Sequence, residues 1–295
     1  MLNEVKHLAP ARFKACLSPG GIPFLDWGGH GPVLHFAHAN GFPPATYGAF
    51  IGSLTDPYHC LAYEARPLWG THDPRLFRHW RELASDMARF LDEMGLDSLI
   101  WVGHSLGAVT SLFCAADQPA RFRALVLIDP VILPLHLSPL LVVTQRLGLA
   151  SRLSLPSRTR RRRMEWPSQE LVFRAYRSAP VFARWSDSFL WDYVLAVTED
   201  TPDGAVHLRY PREWEARIFE TVPPDAWLAM PRLRHMPTLV LRGEHSTTYR
   251  RDAMWLMRQF LPHAEFAEIE GADHFVPMTQ PQRAADVILK FLGRL

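Results

Sequence analysis

The chain alternates short apolar runs with helix-length amphipathic stretches. Runs at 33–37, 59–63, 98–102 and 124–128 are each bounded by polar residues or by Gly and Pro. Their continuous apolar character predicts strands buried on both faces, hence a mostly parallel sheet covered by helices. Segments 13–16 and 22–27 flank Ser18-Pro19-Gly20-Gly21 and read as an opening β-hairpin. The clearest helix spans 76–94, where Leu83, Met87, Phe90, Leu91 and Met94 recur at three- and four-residue steps. The rhythm stops after Ile128. From Val131 to about Met236 the chain is rich in Arg and Pro and holds five of the ten tryptophans: Trp166, Trp185, Trp191, Trp214 and Trp227. It resumes with a strand at 238–242, a helix at 252–260, a strand at 265–269 and a last helix at 281–292. This order predicts an α/β fold with a discontinuous core, residues 1–130 and 237–295. Residues 131–236 then form a mostly helical insertion over the C-terminal edge of the sheet.

Composition narrows the function classes. A chain of 295 residues, 48% hydrophobic, suits one large domain or a core with an inserted subdomain. Lys and Arg total 32 against 30 for Asp and Glu, so no global footprint for nucleic acid or an acidic membrane exists. Cys16, Cys60 and Cys114 are an odd count without metal spacing, which points to a reducing compartment without disulfides or a zinc site. The opening MLNEVKHLAP lacks the apolar run of a signal peptide. The stretch 131–143 is broken by Pro134, His136 and Pro139 and is too short to span a bilayer. The expectation is a cytoplasmic globular protein with no cofactor, no metal, no nucleic-acid partner and no membrane span. Its oligomeric state stays open.

Chemistry concentrates at two places. Gly103-His104-Ser105-Leu106-Gly107 matches G-x-S-x-G between a strand and a helix predicted over 106–116. A serine on such a sharp turn is held exposed, and glycines permit a turn that a β-carbon would crowd. The helix N-terminus behind it offers free N–H groups and a positive dipole end to a developing oxyanion. A serine hydroxyl needs a base. His274, in Glu270-Gly271-Ala272-Asp273-His274-Phe275, lies on a loop after a strand, where open α/β sheets gather their ligands.

On these residues the chain resembles the α/β-hydrolase-fold family, in its serine-nucleophile branch with a helical cap. The likeness covers 11–130 and 237–295. His38-Ala39-Asn40-Gly41-Phe42-Pro43 is similar to the family's H-G-x-P loop, with Asn40-Gly41 where His-Gly is usual. Glu64-Ala65-Arg66-Pro67-Leu68-Trp69-Gly70 is similar to its D-x-R-G-x-G loop, altered, with Arg66 fixing the loop. The resemblance implies the backbone N–H groups of Leu106 and Phe42 as oxyanion donors. The family's acid usually stands in Gly-x-x-Asp, but here Gly243-Glu244-His245-Ser246 puts Ser246 in that place. Asp129 ends the strand beside the nucleophile strand, where a minority of the family, some dehalogenases and lipases among them, carry the acid. Pro130 predicts an extended Asp129. Glu244 is the alternative, and Asp273 is too close to His274 in sequence to reach round the ring. Asp129 is preferred.

The resemblance implies a serine hydrolase that cleaves a small to medium carboxylic ester, or a related acyl substrate, through an acyl-enzyme on Ser105. Serine at the elbow argues against haloalkane dehalogenases and epoxide hydrolases, which need aspartate there. C–C bond hydrolysis or acyl transfer on the same triad remains open, as does a non-catalytic small-molecule-binding protein, favoured by the missing Gly-x-x-Asp. The run Arg158–Arg163 reads either as a solvated helix face, the commoner case, or as a site for an acidic partner. The tryptophans either line a pocket or pack the insertion. No long amphipathic apolar helix is visible in 131–236, so no lipid-interface face is expected.

Overall fold

The computed structural model describes residues 13–70 and 72–295, and the N-terminal stretch read above for targeting signals lies outside them. Six strands precede the insertion: β1 (Lys14–Leu17), β2 (Pro23–Gly28), β3 (Val33–Ala37), β4 (His59–Tyr63), β5 (Leu99–His104) and β6 (Phe122–Ile128). Three short ones lie within it: β7 (Glu165–Trp166), β8 (Thr198–Asp200) and β9 (Val206–Leu208). Two follow, β10 (Thr238–Gly243) and β11 (Glu265–Ile269).

The main sheet has eight strands in the order β1-β2-β4-β3-β5-β6-β10-β11. β1 and β2 form the antiparallel opening hairpin, and β2 joins β4 antiparallel. All pairings from β4 through β11 are parallel. Every residue of β5 and β10 is buried, as apolar runs covered on both faces require. β10 pairs directly with β6, Leu241 opposite Ile128, so the chain after the insertion completes the sheet begun before it. The helix Leu106–Asp117 is buried on all sides from Leu106 to Ala116, which suits its small apolar residues.

Three expectations are corrected. The helix expected over 76–94 begins at Arg81. Pro74 opens a separate short turn capped by Asp73, and Glu82 Oε1 accepts the N–H groups of Arg78 and His79, which starts the helix later. The insertion is mostly helical and also carries one small sheet. β7, β9 and β8 form an antiparallel sheet, whose strands of two or three residues are too short to leave a periodic signal. Asp129 is not extended but takes a φ of 42°. Its carboxylate and backbone N–H are both anchored to β10 and the turn after it, and these bonds outweigh the steric preference set by Pro130. Finally, the nine-residue helix Ser138–Arg146 has no buried residue and presents apolar side chains to solvent.

The tryptophans serve packing. Trp191 stacks on Phe173 at 4.4 Å and 9°. Trp214 packs on Phe77, Trp185 on Phe42 and Phe275, and Trp227 donates to the Leu133 carbonyl. Trp166 lies under the Arg163 guanidinium.

Candidate active site

Ser105 sits between β5 and its helix with φ 57° and ψ −112°, a conformation that costs an L-residue about 1–3 kcal/mol. Packing enforces it. A β-carbon on Gly107 would run into the carbonyl of Ala37, and one on Gly103 would lie 2.5 Å from the Gly107 carbonyl. The backbone of the elbow therefore lies tight against β3, and the Ser105 N–H donates to the Ile128 carbonyl at 2.9 Å.

His274 joins the two sides of the site. Its Nε2 accepts from Ser105 Oγ at 2.9 Å and its Nδ1–H donates to Asp129 Oδ1 at 2.8 Å. Asp129 is wholly buried, and three donors offset the loss of water around its carboxylate. Besides His274 these are the Gly243 N–H to Oδ2 at 2.9 Å and the Ser246 hydroxyl to Oδ1 at 2.6 Å. Ser246, in the Gly243-Glu244-His245-Ser246 turn, thus supports the Asp129 carboxylate at the end of the neighbouring strand. Glu244 turns elsewhere and accepts the Gly271 N–H at 2.8 Å. Asp273 accepts the Phe275 N–H at 2.9 Å.

Of the two implied oxyanion donors, Leu106 opens the first turn of its helix, where an N–H has no intrahelical acceptor. The Phe42 N–H donates to the Ala39 carbonyl at 3.2 Å and closes the turn through Asn40-Gly41. Asn40 does not face the reacting atoms through its amide. Its Nδ2 donates to the Glu215 carbonyl and its Oδ1 accepts from Tyr210, which fixes the loop. Arg66 holds its loop as expected, forking onto Asp86 at 2.7 and 2.9 Å.

Two residues that sequence reasoning left unassigned tie these segments together. The Ala39 N–H donates to the Tyr47 hydroxyl, which donates to His104 Nδ1 at 2.9 Å. His104 Nε2–H in turn donates to the His274 carbonyl at 2.8 Å. Burial holds the His104 ring well below the ordinary histidine range, so it stays neutral and keeps this tautomer. His104 was visible as the variable residue of G-x-S-x-G, but nothing local showed what it would touch.

A cavity of about 790 Å³ opens over Ser105 and His274. Phe42 and Phe275 line it from the sheet side, and Phe182, Tyr193 and Phe219 from the insertion. Its wall also holds the ion pair of Arg162 with Glu215, whose carboxyl is raised by burial. The arginine run is therefore not one solvated face. Arg162 lines the cavity, Arg160 pairs with Glu213 and Glu220, and Arg158 and Arg161 are exposed. Among the described residues no group of three or more His, Cys, Asp or Glu could hold a metal ion.

A strand-turn-helix serine, a histidine loop after the last strand and a parallel sheet between them define an α/β-hydrolase. The family model for the alpha/beta hydrolase fold matches residues 70–281, and the chain belongs to that family of enzymes. Haloalkane dehalogenase 2 of Mycobacterium tuberculosis is 23% identical over 94% of this chain and 93% of its own. The solved E-2-(acetamidomethylene)succinate hydrolase superposes with a TM-score of 0.78 at 20% identity, covering 95% of this chain and 99% of that one. A Mycobacterium tuberculosis esterase superposes at 0.72 with 20% identity, over 99% and 95%.

Proposed function

We propose that the chain is a serine hydrolase acting on a small to medium carboxylic ester or related acyl compound. Ser105, His274 and Asp129 form its triad, and residues 131–236 are the cap that closes the cavity. The observation that carries this reading is the position of His274, hydrogen-bonded to Ser105 Oγ on one nitrogen and to Asp129 on the other.

His274 Nε2 takes the Ser105 proton as Oγ attacks the acyl carbonyl, and Asp129 stabilises the imidazolium that forms. The oxyanion points at the Leu106 N–H. The Phe42 N–H shares its proton between the Ala39 carbonyl and the oxyanion, which makes it the weaker donor. His274 then protonates the leaving group, and water activated by the same ring frees the acid. The likeness to a haloalkane dehalogenase does not carry its chemistry here. Displacing halide with a serine hydroxyl leaves an alkyl ether, which water attacking a carbonyl cannot cleave, whereas an acyl group on serine hydrolyses readily. The contact between His274 and Asp129 supports catalysis over the binding-protein alternative.

A fluorophosphonate probe is expected to label the protein at Ser105, and p-nitrophenyl butyrate to be hydrolysed. Ser105→Ala should abolish labelling and lower kcat by about 10⁴–10⁶ with the fold intact by circular dichroism. An unlabelled wild-type protein, or an undiminished rate in the variant, overturns the proposal.

A further inference from the structure

The helix Ser138–Arg146 faces two ways. Leu141 lines the cavity over Ser105, and Gln145 donates to the carbonyls of Glu220 and Val222, which holds this side of the helix down. Leu140, Val143 and Leu147, at steps of three and four, point away and are 66%, 52% and 66% exposed. The chain beyond continues the apolar surface with Leu149, Leu153 and Leu155, and the last two also line the cavity. Exposed leucines therefore belong both to the outer surface and to the wall of the cavity. Monomeric proteins rarely leave such contiguous apolar surface uncovered.

The charge of this surface is one-sided. Residues 131–164 hold seven arginines and no Asp or Glu, although the whole chain carries only +2. Arg146, Arg152, Arg158 and Arg161 are exposed and make no ion pair among the described residues. We propose that this face docks on the surface of an anionic lipid bilayer, with Leu140, Val143 and Leu147 in the headgroup region and the arginines on lipid phosphates. Aliphatic side chains beside unpaired guanidinium groups are complementary to such a surface. A second copy of the chain fits poorly, because a two-fold interface brings the same basic patch against itself. A bilayer docked there brings apolar substrate to the cavity that Leu153 and Leu155 line. Docking stands without the hydrolase reading, and only the delivery of an acyl substrate rests on that reading.

The test is co-sedimentation of the full chain with vesicles of phosphatidylcholine containing phosphatidylglycerol. Binding is expected, weakened by about tenfold or more in vesicles of phosphatidylcholine alone and in high salt. Leu140→Asp/Leu147→Asp should lose binding by a similar factor while hydrolysing a water-soluble ester at the wild-type rate. Leu17→Asp, at a leucine 70% exposed on the edge strand β1, should bind like the wild type. No binding, binding equal on both vesicle types, equal losses in both leucine variants, or a lipid-free dimer abolished by the double variant each overturn the proposal. Vesicle binding by a chain that no fluorophosphonate labels would sustain the docking and remove the hydrolase reading instead.

Discussion

Asp129 carries a buried carboxylate at the end of β6, and its three donors come from β10, the turn after it and the histidine loop. Asparagine there keeps the size of the group but must present an amide N–H to at least one of these donors. It also cannot stabilise an imidazolium. Asp129→Asn is therefore expected to lower kcat by about 10⁴ with the fold retained. Glu244 makes its bond to the Gly271 N–H at the surface, so Glu244→Gln should leave kcat within about twofold. Steady-state kinetics on one soluble ester compares the two. A crippled Glu244→Gln enzyme beside an active Asp129→Asn enzyme would reverse the assignment.

The close approach of the elbow helix to β3 is a property of two elements, and Gly107 is where they meet. Gly107→Ala drives a methyl group into the Ala37 carbonyl, so either the helix or the loop that follows β3 must shift. A loss of about 3 kcal/mol in unfolding free energy is expected, with activity falling alongside. Gly52, in the short helix Gly48–Gly52, has open space for 4 Å around the place a β-carbon would take. Gly52→Ala should therefore be neutral or stabilise by about 0.5–1 kcal/mol through the unfolded chain. Urea unfolding of both variants measures the contrast, and equal midpoints would show that the elbow is looser than its geometry. The same packing explains why the elbow could be read from five residues, while the start of the helix Arg81–Met94 could not. Glycines at a tight crossing leave a local pattern, but the first turn of that helix depends on which N–H groups Glu82 reaches.

Among the described residues, three buried histidines held neutral bear on how the molecule responds to acid. Burial pulls His35 down to about 3 and His38 down to about 4, and holds His104 well below the ordinary value of 6.5. Unfolded, these rings take up protons near 6.5, whereas folded they do not. Their stabilising contribution is therefore whole above that pH and is lost as pH falls below it. With three rings the slope reaches at most about 4 kcal/mol per pH unit. Burial also raises Glu64, Asp86 and Glu215, which protonate first in the folded state and offset part of the loss at lower pH. Urea midpoints should fall steadily from about pH 7 to about pH 5. A level midpoint across that range would mean that the three rings accept protons within the fold.

Local order was legible along the chain. The period of apolar residues announced the parallel sheet, and G-x-S-x-G and the loop after the last strand announced where Ser105 and His274 lie, because strands and sharp turns are specified by near neighbours. The carboxylate that meets His274 was not legible to the same degree. Asp129 and Ser246 stand 117 positions apart in sequence, and their 2.6 Å contact exists because β6 and β10 are paired across the insertion. The divided fate of Arg158–Arg163 and the outward stripe of Ser138–Arg146 were hidden for the same reason. Sequence shows the charge and hydropathy of a side chain, but its exposure is set by which distant segments pack against it.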